Sequence, residues 1–185
     1  MVQSWLQVHK YTLRCVKIGK ISARFEEARG RLFDVKDFPN LEELHLSRWD
    51  LSRTLDSAME DADLLLGPKL RKFELGYMVM PEWGSPRASD FGEREENWVR
   101  CLAQVAIARG HCLQEIYVDF FTPEFGDLSD VYPWDGLDRL RTEFQSPGLR
   151  VEHSGYTYTR DEWLENKKRR RERADLLEDT DEDPE

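Results

Sequence analysis

The sequence predicts an α/β fold of about four to five parallel strands with helices along one side. An apolar spacing, Leu-x-x-Leu-x-Leu, recurs along the chain, and stretches with the three-to-four spacing of a helix lie between its copies. Gly and Pro follow these helical stretches. Together these observations are typical of a short leucine-rich-repeat-like solenoid whose helices lie on the convex side.

The strands are predicted from the copies of this frame, which begin at Leu13, Leu41, Leu70 and Leu113. The first three starts lie about 28 residues apart, and the later gaps of about 43 and 36 residues predict insertions in the later repeats. A weaker copy over 148–153 keeps only the alternating end of the frame and predicts a terminal strand.

Helices are predicted between these strands. One spans 51–66 with Ser52 as its N-cap, a second spans 93–109, and a third spans 134–144. A short helix over 2–9 is expected before the first strand. Because strands and helices alternate with short connections, the strands should be parallel and the crossovers right-handed.

The chain divides by composition into three parts. Residues 1–159 form the predicted repeat domain, 160–178 a charged C-terminal helix, and 179–185 a disordered acidic tail. Two turn-rich insertions, 80–92 and 120–134, interrupt the repeats, and such loops commonly carry function.

Composition excludes several classes of function. Charged residues make up 35% of the chain and leave a formal net charge of −10, which argues against a general attraction to nucleic acid. The three cysteines are far apart and no signal segment precedes them, so a reducing compartment is expected, cytoplasmic or nuclear. No apolar run approaches the roughly 20 residues of a membrane span, so no membrane partner is predicted.

The predicted binding surface is the outward side of the sheet together with the two insertions. In the repeat frame, positions one, four and six point into the core and the intervening positions face outward. A mixed charged and aromatic strand face suits an extended protein partner, and the alternative is a solvated face with Glu–Lys pairs. The partner-binding candidates are Lys17, His45, Arg48, Glu74, Tyr77, Tyr117, Asp119, Phe120, Trp83 and Trp134.

No catalytic, cofactor or metal site is predicted. His45 shares a strand with Glu43 and could form an acid–base pair with it, but no serine or cysteine nucleophile has a spacing that assigns it to this histidine. The histidines and cysteines lack metal-ligand spacings, and the acidic residues of the second insertion lack the order of a calcium loop. The chain is therefore expected not to be an enzyme.

The C-terminal helix carries a basic run with the composition of a nuclear-import signal or nucleic-acid contact. Acidic residues flank it, so a solvated helix with Glu–Arg pairs is the alternative. Trp163 and Leu164 are expected to pack this helix against the last strand. The import candidates are Lys167, Lys168, Arg169, Arg170, Arg171 and Arg173.

Two segments carry a resemblance to a known family. They are Trp5-Leu6-x-x-His9-x-x-Thr12-Leu13-Arg14-x-Val16-x-Ile18 and Phe38-Pro39-Asn40-Leu41-Glu42-Glu43-Leu44-x-Leu46. This pattern resembles the leucine-rich C-terminal regions of filamentous-fungal F-box proteins, over roughly residues 1–120. The resemblance implies a protein-interaction module that recognises substrates for a cullin-type ubiquitin ligase. Residue 1 already begins in what resembles a repeat's helix, so the ligase adaptor is an expected partner only if an F-box lies upstream.

Overall fold

The computed structural model describes residues 6–18, 34–48, 51, 55, 58–78, 91–121, 132–145, 148–155 and 159–178. The strands in these ranges are β1 (Cys15–Ile18), β2 (Glu43–Ser47), β3 (Lys72–Met78), β4 (Glu115–Phe121) and β5 (Arg150–His153). They form one sheet in chain order, and every neighbouring pair is parallel. The predicted α/β class and the predicted parallel strands are confirmed.

Four α-helices lie in the described ranges: α1 (Ala58–Leu65), α2 (Glu93–Ala108), α3 (Pro133–Phe144) and α4 (Arg160–Glu178). Short 3-10 helices occupy Gln7–His9 and Val35–Asp37. The first of these is the described part of the helix predicted over 2–9.

Hydrogen bonds of one kind align the strands and repeat just before β2, β3 and β4. In each, one backbone carbonyl accepts the N–H groups of two consecutive residues at the start of the next strand, at distances of 2.7 to 3.0 Å. The acceptors and donors are Arg14 with Glu42 and Glu43, Glu42 with Arg71 and Lys72, and Arg71 with Gln114 and Glu115. These shared carbonyls fix the register in which equivalent positions of the frame stand side by side.

A continuous apolar core lies between one face of the sheet and the helices. The inward strand residues Leu44, Phe73 and Ile116 are at most 1% exposed and belong to the same cluster as Trp98 and Leu102 of α2. Buried residues of all four helices belong to this cluster, whereas most described strand residues on the other face of the sheet are partly or fully exposed. This arrangement leaves the second face open for other contacts.

The helix predicted over 51–66 is wrong at its start. The observed α1 begins at Ala58, and Leu55 has a backbone φ of 50°, in the left-handed region that a helix cannot contain. The Leu55 side chain is nonetheless buried, so its apolar spacing reflects packing in an irregular segment. The proposed cap Ser52 lies outside the described residues.

The C-terminal helix is present as predicted over 160–178. Trp163 is buried and its ring meets that of Trp134 edge-on, with centroids 6.0 Å apart. The expected burial of Leu164 is wrong: its side chain is 55% exposed, because it lies on a different side of the helix from the anchoring Trp163. Most of both insertions and the 179–185 tail lie outside the described residues, so the predictions for them stay predictions.

Candidate partner-binding face

The open side of the sheet carries two rows of side chains that run across all five strands, and we call these two rows the outward face. They arise because alternate residues of each strand point away from the helices and the parallel register places equivalent residues side by side. The first row is Cys15, Glu43, Lys72, Glu115 and Arg150, and the second row is Lys17, His45, Glu74, Tyr117 and Glu152.

Charges alternate along the first row. Lys72 Nζ lies 3.2 Å from Glu115 Oε1, and an Arg150 guanidinium nitrogen lies 2.8 Å from Glu115 Oε2. Partial burial favours the neutral amine of Lys72, but the carboxylates of Glu115 and Glu74 outweigh this effect and raise its pKa. The side chains of Lys72, Glu115 and Arg150 therefore form a continuous set of ion pairs within this row.

The second row is tied to the first through Lys72. His45 Nδ1 lies 2.7 Å from Glu74 Oε1, and Lys72 Nζ lies 3.6 Å from Glu74 Oε2. The same ammonium lies 5.1 Å from the centroid of the Tyr117 ring, within the range of a cation–π contact. Burial, and then the negative charge of Asp119, raise the pKa of the Tyr117 hydroxyl. Because Tyr117 therefore keeps its proton at neutral pH, it presents a hydrogen-bond donor on this face.

A glycine on β3 makes room for the histidine. A Cβ atom at position 76 would lie 2.8 Å from His45 Nε2, closer than such atoms normally approach. Gly76 therefore lets the His45 ring lie across β3 and meet Glu74. The acid–base pair considered for His45 with Glu43 is replaced by this cross-strand contact.

Two predicted partner-binding residues are buried in the core. Tyr77 is 0% exposed and meets the Phe91 ring edge-on at 6.0 Å, because the strand alternation that buries Phe73 and Leu75 continues to this position. Trp134 is also 0% exposed, since it lies in the first turn of α3 and packs against the ring of Trp163. The prediction that these two side chains bind a partner is therefore wrong, because both are enclosed in the core.

The remaining candidates lie at the margin of the outward face or beyond the described part. Arg48 is half-buried in an ion pair with Glu95, 3.1 Å away, at the start of α2. Asp119 is half-buried on β4, beside the paired Gly76. Phe120 lies on β4 but its side chain is outside the described residues, as is the whole of Trp83.

The basic run lies on α4. Lys168 Nζ is 3.9 Å from Glu172, and Arg169 Nε is 3.1 Å from Glu165, both at the i,i+4 helix spacing. Lys167 is half-buried. The side chains of the remaining import candidates, Arg170, Arg171 and Arg173, lie outside the described residues.

A charged cleft between α2 and α3 was missed by sequence reasoning. It has a volume of about 360 Å³ and surrounds Glu96, which is 6% exposed. Glu96 Oε1 accepts hydrogen bonds from Arg100 at 2.6 Å and from Arg139 at 3.1 Å. Burial alone would raise the Glu96 pKa, but the two guanidinium groups lower it. The i,i+4 spacing of Glu96 and Arg100 signals half of this cluster, whereas Arg139 joins it only through the tertiary fold.

A second buried carboxyl, Asp61, joins α1 to α2. It is 6% exposed and accepts a hydrogen bond from Trp98 Nε1 at 2.8 Å. Burial raises its pKa, and the Trp98 hydrogen bond only partly opposes this effect. No feature of the sequence distinguishes this aspartate from the exposed acidic residues around it.

Among the described residues, no group of three or more His, Cys, Asp or Glu side chains could hold a metal ion. In the same part of the chain, α-helices long and apolar enough to cross a membrane are absent.

Comparison with known proteins gives no relative from which a function could be inferred, so the arrangement of side chains described above is the basis for a functional proposal. No protein-family model, curated protein or solved structure matches this chain.

Proposed function

We propose that this protein is a non-enzymatic protein-interaction module of the leucine-rich-repeat type, and that it binds its partner through the outward face. The observation that supports this proposal is the pair of side-chain rows in register across five parallel strands. Repeat proteins commonly use such a surface to hold another protein without a deep cleft.

The side-chain types on the outward face and the rigid backbone beneath them both favour binding by this face. The rows combine carboxylates, ammonium and guanidinium groups with the Tyr117 ring, which are the groups that set register and specificity at protein interfaces. Their backbone is rigid because every strand is hydrogen-bonded within the sheet. A rigid polar surface lowers the entropic cost of ordering side chains on association.

A narrower proposal follows from the resemblance to filamentous-fungal F-box proteins. The bound protein would then be a substrate delivered to a cullin-type ubiquitin ligase. To test this proposal, any coding sequence upstream of Met1 is translated, and binding of the product to the purified adaptor subunit is measured. Absence of adaptor binding and of ligase subunits in the captured material would reject the narrower proposal.

Affinity capture with a face variant tests the general proposal. The double variant Lys17→Glu/Tyr117→Ala changes one side chain at an outer strand and one at an inner strand of the second row. We expect it to lose proteins that the wild-type chain captures from cell extract. Gln104→Glu, an exposed change on α2 on the other side of the sheet, is the matched control and should retain them.

Capture that is unaffected by the face variant, with both variants folded by circular dichroism, would contradict the use of this face. Capture of no protein, together with a wild-type chain that does not associate with itself, would contradict the interaction function.

We propose nuclear import through 167–173 as a second candidate function, because Lys168 and Arg169 are exposed on α4. Their pairs with Glu172 and Glu165 are at the surface, where such contacts are weak enough for a receptor to replace them. Substituting the six basic residues by Glu should abolish nuclear accumulation of a fluorescent fusion. Unchanged nuclear accumulation would contradict an import role.

A further inference from the structure

The outward face is complementary in charge to itself. Across β2, β3, β4 and β5 the first row reads Glu43, Lys72, Glu115 and Arg150. The signs therefore alternate from negative to positive. Read from the other end, the same row alternates from positive to negative.

A two-fold axis uses this alternation. Let the axis run parallel to the strands, midway between β3 and β4, and lie between two facing sheets. The rotation then reverses the strand order but keeps each row opposite itself. Glu43 of one copy faces Arg150 of the other, and Lys72 faces Glu115. Each contact occurs twice, as an isologous interface requires.

The second row matches under the same axis. His45 faces Glu152, and the Tyr117 hydroxyl faces the Glu74 carboxylate, to which it can donate a hydrogen bond. No pair of like charges is brought together in either row. Strand β1 overhangs the matched region and leaves Lys17 at its margin.

We propose that the outward face binds a second copy of this chain, face to face about this axis. The inference rests on the proposed interaction function and names the partner. The present ion pairs need not break: Glu115 holds Lys72 and Arg150 within its own sheet, and the facing charges extend these contacts into a network.

The geometry tolerates the twist of real sheets. Facing sheets pack with their strands about 30° apart. Strands β2 and β5 lie about 7 Å from the axis, given a strand spacing of about 4.8 Å. The rotation displaces the outermost facing pair by roughly 4 Å, within the reach of the long Glu43 and Arg150 side chains.

The extent of the rows predicts a weak dimer. Four strands and two rows cover a few hundred Å² per copy, less than the roughly 800 Å² that each partner buries in a stable complex. The association should therefore be reversible and concentration-dependent, with a dissociation constant in the micromolar range or above. Because its contacts are ionic and partly exposed, it should weaken with salt.

Charge exchange tests the axis. Wild-type protein, Glu43→Lys and Arg150→Glu are compared by sedimentation velocity at low ionic strength over about 10 to 500 μM, a range set by typical weak interfaces. Each variant alone places like charges opposite each other twice, so self-association should fall at least about tenfold. An equimolar mixture of the two places opposite charges at both contacts and should restore association to near the wild-type level.

Both substitutions are at exposed positions. Arg150→Glu also removes the surface ion pair with Glu115, which contributes little to stability, so circular dichroism should show an unchanged fold for both variants. A wild-type chain that stays monomeric, or a mixture that associates no better than its components, overturns the proposed dimer. Capture of a different protein by the outward face without self-association overturns this inference and leaves the proposed function intact. Restored association in the mixture that disappears at about 0.5 M salt supports the ionic interface.

Discussion

At the scale of single residues, two buried carboxyl groups respond to pH in opposite directions. Asp61 is enclosed beside Trp98, and burial raises its pKa. Glu96 is equally buried, but the guanidinium groups of Arg100 and Arg139 outweigh its burial and lower its pKa. Similar exposure therefore yields opposite effects, because only one of the two carboxylates has cationic partners.

The first prediction concerns Asp61→Asn, which keeps an oxygen acceptor for Trp98 and removes the titration. Folded Asp61 holds its proton more tightly than the unfolded chain, so its contribution to stability is greatest below about pH 4 and is lost as the pH rises through the folded pKa. The free energy of unfolding of the variant relative to wild type should therefore increase from pH 3 to pH 7. Urea titrations at several pH values measure this change, from which any pH-independent packing cost cancels.

Glu96→Gln is the matched control with the opposite sign. The contribution of Glu96 is present above about pH 4.3 and is lost as the pH falls through its lowered folded pKa. The variant should lose about 1–2 kcal/mol at pH 7, since Arg139 is partly exposed, and progressively less in acid. The same pH trend in both variants would contradict the assignment of these two environments.

At the scale of elements, the contact of α2 with α3 depends on a helical glycine. A Cβ atom at position 136 would lie 2.9 Å from Glu96 Oε2 and 3.3 Å from Phe91 Cε1. Alanine normally stabilises a helix by about 1 kcal/mol relative to glycine. The close contact opposes that gain because Glu96 is held by two arginines.

The second prediction is that Gly136→Ala destabilises the protein by about 1 kcal/mol despite its better helix propensity. Thermal or urea unfolding measures the effect. Gly155→Ala is the control, because a Cβ atom there has no neighbour within 4 Å. A stabilised Gly136→Ala variant would show that the helices separate at little cost.

The third prediction concerns the attachment of α4, in which Trp163 is the one described side chain that enters the apolar core. Loss of a buried tryptophan costs about 3–5 kcal/mol. Since Trp163 contacts Tyr132 and Trp134, Trp163→Ala should release the helix while the sheet stays folded. Limited proteolysis should then cut within 160–178. Leu164→Ala, at a 55% exposed neighbour, should leave cleavage unchanged. Loss of the whole fold in the tryptophan variant would contradict separable attachment.

The helices and strands were predictable where the spacing of apolar residues within each element reveals its type. The Leu-x-x-Leu-x-Leu frame located the strands, because their alternation follows directly from burial of one face. The start of α1 was not predictable, since Leu55 keeps a helical spacing while its backbone is left-handed. The burial of Trp134 depends on contacts with Trp163 that no local pattern contains.

At the scale of the whole molecule, each described strand pairs with the strands that stand next to it in chain order. Strands β3 and β4 pair with each other over seven residues and have a strand on both sides, whereas β1 pairs over four residues and has one neighbour among the described strands. Protection against opening should therefore be greatest in the middle of the sheet.

The fourth prediction is that amide hydrogen exchange follows this order. Backbone amides of β3 and β4 should exchange at least about tenfold more slowly than those of β1, if the outer strand opens before the central ones. Exchange measured by NMR or mass spectrometry at neutral pH provides the test. Equal protection in all five strands would instead indicate one fully cooperative unit.

The candidate site was predictable only in part. The outward positions of Lys17, His45, Glu74 and Tyr117 followed from strand alternation. The pairing of His45 with Glu74 did not, because it requires the register of two strands and the space above Gly76. Residues that are neighbours across two strands lie far apart in the sequence, so a pattern read along the sequence does not show that their side chains interact.

The shared carbonyls before the strands also determine how this sheet can vary in length. Each anchors the next strand at a fixed point, whatever number of residues intervenes: the chain from Lys72 to Glu115 is longer than that from Glu43 to Lys72, yet the register is the same. Segments between anchors can therefore be lengthened without shifting any side chain on the outward face. The segments between these anchors are therefore suitable places to insert a new loop, because the register of the strands does not depend on the length of the segment that connects them.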